Sequence, residues 1–255
     1  MLKVFLTRIR QGYHTIAYPE GPLPELPPRY AGRPLLDPGK CLAGCRTCVE
    51  VCPVEALSRD DSDALRLDIG RCLFCRACET SCPRQAISFS RDFRMAAASR
   101  RDLVVGPEPE RLAQALTSET RRLFGRSLKL RQVSAGGCNA CELDTNVLGT
   151  IVYDLGRFGI QFVASPRHAD GILVTGPVSK NMEQALLATY EAVPAPKIVV
   201  ATGACAIAGG PYIDHLQTCN GVTNLLPVDL FVPGCPPHPL TILDGLLRLL
   251  GRIKA

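Results

Sequence analysis

Gly70 to Pro83 reads GRCLFCRACETSCP, and Gly39 to Pro53 reads GKCLAGCRTCVEVCP. The later run is CxxCxxCxxxCP on Cys72, Cys75, Cys78 and Cys82. The earlier one repeats the last three cysteines at Cys45, Cys48 and Cys52, followed by Pro53, but Cys41 stands one residue too far from Cys45. Three thiolates at two-residue spacing wrap one iron–sulfur cube, and the fourth, turned away by its proline, serves the other cube. The ligand sets therefore cross: Cys41, Cys45 and Cys48 with Cys82, and Cys72, Cys75 and Cys78 with Cys52. Structural zinc uses paired CxxC ligands and gives no reason for two CP-terminated triplets. The short apolar stretches ALRLDI and AISFS fit small strands covering such a core.

The rest of the chain is long enough for a second core, since 255 residues accommodate two domains of ordinary size. Thirteen cysteines would suggest disulfides in a secreted protein, but MLKVFLTRIR has neither an uninterrupted apolar region nor a small-residue cleavage site, so reduced thiols are expected. No apolar run approaches bilayer length, because TILDGLLRLL carries Asp244 and Arg248. Residues 1–133 hold 22 Lys and Arg against 15 Asp and Glu, net +7, whereas 134–255 hold 7 against 9, net −2. No basic run interleaved with aromatics accompanies the excess, so nucleic acid is not an expected partner.

Residues 1–40 read as an appendage. Leu2, Phe5, Leu6 and Ile9 follow helical spacing beside Lys3, Arg8 and Arg10, which suits either a lipid surface or a protein partner. The prolines between Tyr18 and Gly39 forbid regular helix or central strand, so an extended wrapping arm follows. Residues 41–100 form the two-cluster unit, and 101–255 a second domain whose first helix starts near Glu108. In the second domain QFVA, GILVTG and KIVVATG read as strands and KNMEQALLATYEA as a helix, an alternation that implies a parallel sheet.

Four of the remaining five cysteines sit in Gly-flanked turns: Cys138 and Cys141 in GGCNAC, Cys205 in TGACAIAGG, and Cys235 in VPGCPPHP. Backbone amides can approach cluster sulfurs closely in such turns, so these four are expected to hold a third cluster. Cys219 in HLQTCNGV lacks that setting and reads as a free thiol. Glu142 and Asp144 suit proton relay or tuning of the cluster, or else simple stabilisation of a helix N-terminus. Arg167 and His168 suit cluster modulation or an ordinary loop role. No phosphate-binding loop or nucleophile–base pair is present, and no catalytic residue is expected.

The cysteine-rich half resembles bacterial two-cluster ferredoxins. With TIAYPEG and RYAGRPLLD of the arm included, it is similar to the ferredoxin-like subunit of complex I and of membrane-bound hydrogenases. Cys41-Leu-Ala-Gly-Cys45 departs from that pattern by one residue, which a loop with Gly44 can absorb. The second half resembles the small subunit of energy-converting NiFe hydrogenases of the formate hydrogenlyase type and its complex I homologue. RSLKLRQVSAGGCNACELD, ATGACAIAGGPY and LLPVDLFVPGCPPHP carry this likeness. The resemblance implies a fusion of two usually separate subunits, an α+β ferredoxin-like two-cluster domain followed by an α/β flavodoxin-like parallel-sheet domain.

It further implies that Cys138, Cys141, Cys205 and Cys235 bind the cluster nearest a partner's active site. The implied function is electron transfer through three 4Fe–4S clusters to or from a NiFe large subunit, on the cytoplasmic side of the cell membrane, peripherally bound. Expected partners are that large subunit, membrane-arm subunits and an electron donor protein. The quinone-reducing complex I subunit has adjacent cysteines where this chain has CNAC, which tilts the reading toward hydrogenase. A complex I-like quinone reductase subunit is the alternative, and a zinc-stabilised scaffold is a third, non-redox reading.

Overall fold

The computed structural model describes residues 2–106, 112–116 and 118–253. Helix α1 (Leu2–Gln11) has no buried residue. The proline-rich arm then runs to β1 (Pro34–Leu36), a short strand in a two-stranded sheet, where a missing amide costs little. Two similar units follow. Helix α2 (Thr47–Glu50) leads into β2 (Leu57–Arg59), and beyond β3 (Leu65–Asp68) helix α3 (Ala77–Ser81) leads into β4 (Ile87–Phe89). β1 pairs with β4, while β2, β3 and β5 (Val104–Val105) form a three-stranded antiparallel sheet. The expected strands in ALRLDI and AISFS are β3 and β4.

The helix expected from Glu108 begins outside the described residues, and the helix found nearby is α4 (Ser118–Phe124). The chain continues through β6 (Leu128–Ser134), α5 (Ala140–Val147), β7 (Ile160–Phe162), β8 (Gly171–Thr175), α6 (Lys180–Ala192), β9 (Ile198–Thr202), α7 (Ala204–Ala208), β10 (Leu230–Val232) and α8 (Pro239–Leu249). The five strands form one parallel sheet in the order β10-β9-β8-β6-β7. Every residue of β8 and β9 is buried, which explains their unbroken apolar sequence. β6 escaped the sequence reading because Lys129, Arg131 and Gln132 break up its apolar pattern, and β10 because only three residues separate Asp229 from Pro233. From β6 the chain steps outward to β7 and then returns to β8 on the other side. Ligands of such sheets sit at the carboxyl ends of the strands, where that reversal opens a crevice.

Under one face of the sheet, Val133, Ile172, Val174 and Ile207 share a continuous apolar core with Leu57, Leu67 and Ile87 of the cysteine-rich half. Gly70 is pressed against Leu103 and Ile207, so a Cβ there would lie 2.9 Å from the Ile207 side chain. The other face packs α8 together with Tyr18 and Phe93. Tyr18 Oη donates to Asp244 Oδ1 at 2.5 Å, and Arg248 Nε donates to Asp244 Oδ2 at 2.9 Å. The arm is thereby fastened to a helix more than two hundred residues away, through a carboxylate with no exposed surface.

Candidate metal centres

Cys41, Cys45, Cys48 and Cys82 line one recess, and Cys52, Cys72, Cys75 and Cys78 line another. The last cysteine of each run is thus swung into the recess of the other. The repeat is also visible in its hydrogen bonds: Ala56 N donates to Cys52 Sγ and Ala86 N to Cys82 Sγ, both at 3.2 Å. Phe74 N donates to Cys72 Sγ at 3.3 Å. Such amides favour sulfur carrying negative charge.

The buried thiols resist that charge, whereas hydrogen bonding at Thr47 lowers Cys45. Burial pushes Cys72 up to about 12, with Cys78 and Cys52 adding to the rise. Cys78 goes to about 11 through burial and then its neighbours Cys52 and Cys75. Buried thiolates set side by side need a cationic centre among them, which the iron of a cluster would supply. Among the described residues no three Cys, His, Asp or Glu side chains close on a single-ion centre.

The third quartet is assembled by the sheet. Cys138 and Cys141 follow the carboxyl end of β6, Cys205 follows β9, and Cys235 follows β10. Cys141 is raised by burial and next by Cys205, with Cys235 and Cys138 also contributing; Cys205 is raised to about 12 by burial and then by Cys235 and Cys138. The four thiols are thus close enough for the charge of one to disfavour the charge of another. Burial also raises Cys235, with Cys138 and then Cys75 of the second recess adding to the shift. Cys219 lies elsewhere, its Sγ donating to Glu183 Oε2 at 3.3 Å.

Two glycines make room for these sulfurs. A Cβ at Gly203 would stand 2.6 Å from Cys141 Sγ, and one at Gly210 would stand 2.7 Å from Cys205 Sγ. Gly203 also has φ of +90°, which side chains rarely adopt. Gly203→Ala is expected to disturb the Cys141 centre while sparing the two recesses; were each centre to hold a 4Fe–4S cluster, this would read as a loss of about four irons per chain. Full iron retention in that variant would show that the close approach is not needed.

Glu142 is buried, accepting hydrogen bonds from Ser134 Oγ at 2.5 Å and Thr175 Oγ1 at 2.6 Å. Its carboxylate ties the first turn of α5 to the ends of β6 and β8, a role the sequence did not indicate. Burial raises the Asp144 carboxyl above its usual range. Arg167 and His168 are exposed in the turn Pro166–His168. The sequence reading missed Arg59, whose Nη2 lies 3.2 Å from Cys41 Sγ. Aligning ALSR with AISF in the two halves of the repeat singles it out.

Residues 138–249 match the family described as NADH ubiquinone oxidoreductase, 20 Kd subunit, and residues 33–95 match the 4Fe–4S dicluster domain. A membrane-bound hydrogenase subunit of Pyrococcus furiosus is 42% identical over 132 residues, covering 52% of this chain and 79% of that protein. An NADH-quinone oxidoreductase subunit of Carboxydothermus hydrogenoformans is 35% identical over 156 residues, 55% of this chain and 94% of that one. The chain belongs to the 20 kDa subunit family of NADH ubiquinone oxidoreductase. Formate hydrogenlyase subunit 7 of Escherichia coli is 40% identical over 129 residues, 51% of each protein. These family members are subunits of oxidoreductase complexes, and the dicluster domain precedes the family's own region in this chain.

Proposed function

We propose that the chain is the electron-transfer subunit of a membrane-associated, multisubunit NiFe hydrogenase. It fuses an arm (1–40), a ferredoxin-like two-cluster domain (41–100) and a flavodoxin-like domain (101–255). Three 4Fe–4S clusters supply the redox chemistry, held by Cys41/Cys45/Cys48/Cys82, Cys52/Cys72/Cys75/Cys78 and Cys138/Cys141/Cys205/Cys235. The placement of the last four just beyond the carboxyl ends of β6, β9 and β10 supports the reading, since ligands of such sheets sit at that end. The description 4Fe–4S dicluster domain favours iron–sulfur over zinc for the first half.

The neighbouring thiols suggest an order along the wire. Cys78 is raised, after burial and its own site's Cys52 and Cys75, by Cys48 of the first site, and Cys75 adds to the rise at Cys235 of the third. Electrons then pass between the first and second sites across Cys48 and Cys78, and between the second and third across Cys75 and Cys235. Leu143, Val147 and Ile151, on and just after α5, are exposed apolar side chains suited to a large-subunit partner. Helix α1 exposes Leu2, Val4, Phe5, Leu6 and Ile9 beside Lys3, Arg8 and Arg10, which suits peripheral attachment on the cytoplasmic face of a membrane. Among the described residues no helix is long and apolar enough to cross one.

The 94% coverage of a quinone oxidoreductase subunit keeps quinone reduction as the second reading. Anaerobic purification of the intact complex tests both. About twelve irons in this chain, four per cluster, and nickel in the copurified large subunit are expected. Eight irons after full reconstitution would remove the third site, and a nickel-free complex that reduces quinone would replace hydrogenase with the second reading.

A further inference from the structure

The two halves of the ferredoxin-type repeat diverge in chemistry at the position that lines each recess. Cys52-Pro53-Val54-Glu55-Ala56-Leu57-Ser58-Arg59 and Cys82-Pro83-Arg84-Gln85-Ala86-Ile87-Ser88-Phe89 align residue for residue. Strands β2 and β4 share one burial pattern, buried, exposed, then half-buried. The third position points into the recess in both: Arg59 lines the first and Phe89 the second. Phe89 meets Phe74 edge-on, with ring centroids 6.1 Å apart; Arg76 also lines this recess, but its guanidinium is 40% exposed and paired with Glu79. There, the first cysteine of the run takes its hydrogen bond from a backbone amide, Phe74 N to Cys72 Sγ.

At the first site the extra residue between Cys41 and Cys45 changes the loop, and Arg59 supplies the donor. Its Nη2 reaches Cys41 Sγ at 3.2 Å and Leu42 O at 3.0 Å, and its Nε reaches Cys45 O at 2.8 Å. The side chain is only 6% exposed. Asp63 pairs with the far nitrogen, Nη1, at 3.1 Å and accepts from Gly44 N at 2.8 Å, which pins the longer loop. Its carboxylate is 46% exposed, so water screens it more than it screens the guanidinium against the sulfur.

We propose that Arg59 sets the two ferredoxin-type clusters at unequal potentials, holding the Cys41 cluster above the Cys72 cluster. One-electron reduction adds a negative charge to a cluster. A desolvated cation hydrogen-bonded to one of its ligands stabilises that charge, and an apolar ring does not. An electron shared by the pair therefore rests on the first cluster, the one farther from the Cys138 quartet, which acts as a one-electron store at the end of the wire. This rests on the cluster assignment proposed above.

The test is a dithionite titration of the full iron-loaded chain with mediators, followed by electron paramagnetic resonance; the signal lost in Cys45→Ser identifies the first cluster. Arg59→Phe, which copies the second site, is expected to lower the first cluster's reduction equilibrium about tenfold, about 59 mV for one electron. Asp63→Asn is expected to shift the same cluster upward, because it leaves the guanidinium less neutralised. Loosening of the loop alone would shift both variants the same way. A common direction, or no shift in either, overturns the proposal. If Arg59→Phe fails to load the first site, Asp63→Asn decides alone: an upward shift supports the proposal and any other result overturns it. A wild-type chain with no Cys45-dependent cluster would instead refute the cluster assignment.

Discussion

Cys141→Ser is expected to abolish electron delivery between this chain and its catalytic partner, while the ferredoxin-type clusters remain reducible. Cys141 lies in the first turn of α5, with its sulfur against the bare Cα of Gly203 and three other thiols around it. A serine hydroxyl is a shorter and harder ligand than a thiolate. The third cluster is the only proposed bridge to a partner seated on Leu143, Val147 and Ile151, so its loss isolates the other two rather than slowing them. The readings are turnover of the intact complex, about eight irons instead of twelve, and an unchanged thermal unfolding profile for the sheet core. Full turnover with the third cluster's spectrum missing would refute the serial order. Loss of all iron would show that the variant had failed to fold rather than been disconnected.

Asp244→Ala is expected to cost about 3 kcal/mol of stability, the scale on which breaking a buried ion pair is felt. Asp244 has no exposed surface, and its two oxygens are divided between the Tyr18 hydroxyl and Arg248 Nε. For a chain of this size the loss corresponds to an apparent Tm lower by roughly 6 to 12 °C. Tyr18→Phe keeps the ring against Phe93 and removes only the hydroxyl, so about 1 kcal/mol is expected there. Both changes should also speed proteolysis of the arm around Tyr18, because that bond fastens it to α8. A wild-type melting curve in Asp244→Ala would mean that apolar packing alone holds the arm.

Legibility of the fold followed the range of the interactions. α1, α6 and α8 announced themselves by periodic or continuous apolar residues, and β8 and β9 by runs that no solvent-facing strand could carry. β6 did not, because its charged residues occupy the half-exposed positions of a strand whose neighbours come from far along the chain. Glu142 looked like a helix-end carboxylate or a proton relay. Its partners Ser134 and Thr175 lie on two strands that become neighbours only when β8 returns beside β6.

The sequence alone marked the crossed grouping of cysteines that line the first two recesses, because cysteines two residues apart and a following proline constrain the backbone locally. It also marked the four Gly-flanked cysteines as a set, since a close approach to sulfur requires glycine wherever the chain comes from. Tertiary structure alone decided that Cys138, Cys141, Cys205 and Cys235 stand at one end of the sheet, because the strand order β10-β9-β8-β6-β7 brings three separate loops there. It alone placed Arg59 on Cys41 and Tyr18 on Asp244, contacts that span 18 and 226 residues. Covalent geometry carries information over a few residues; beyond that, the position of a side chain is set by which surfaces must be buried together.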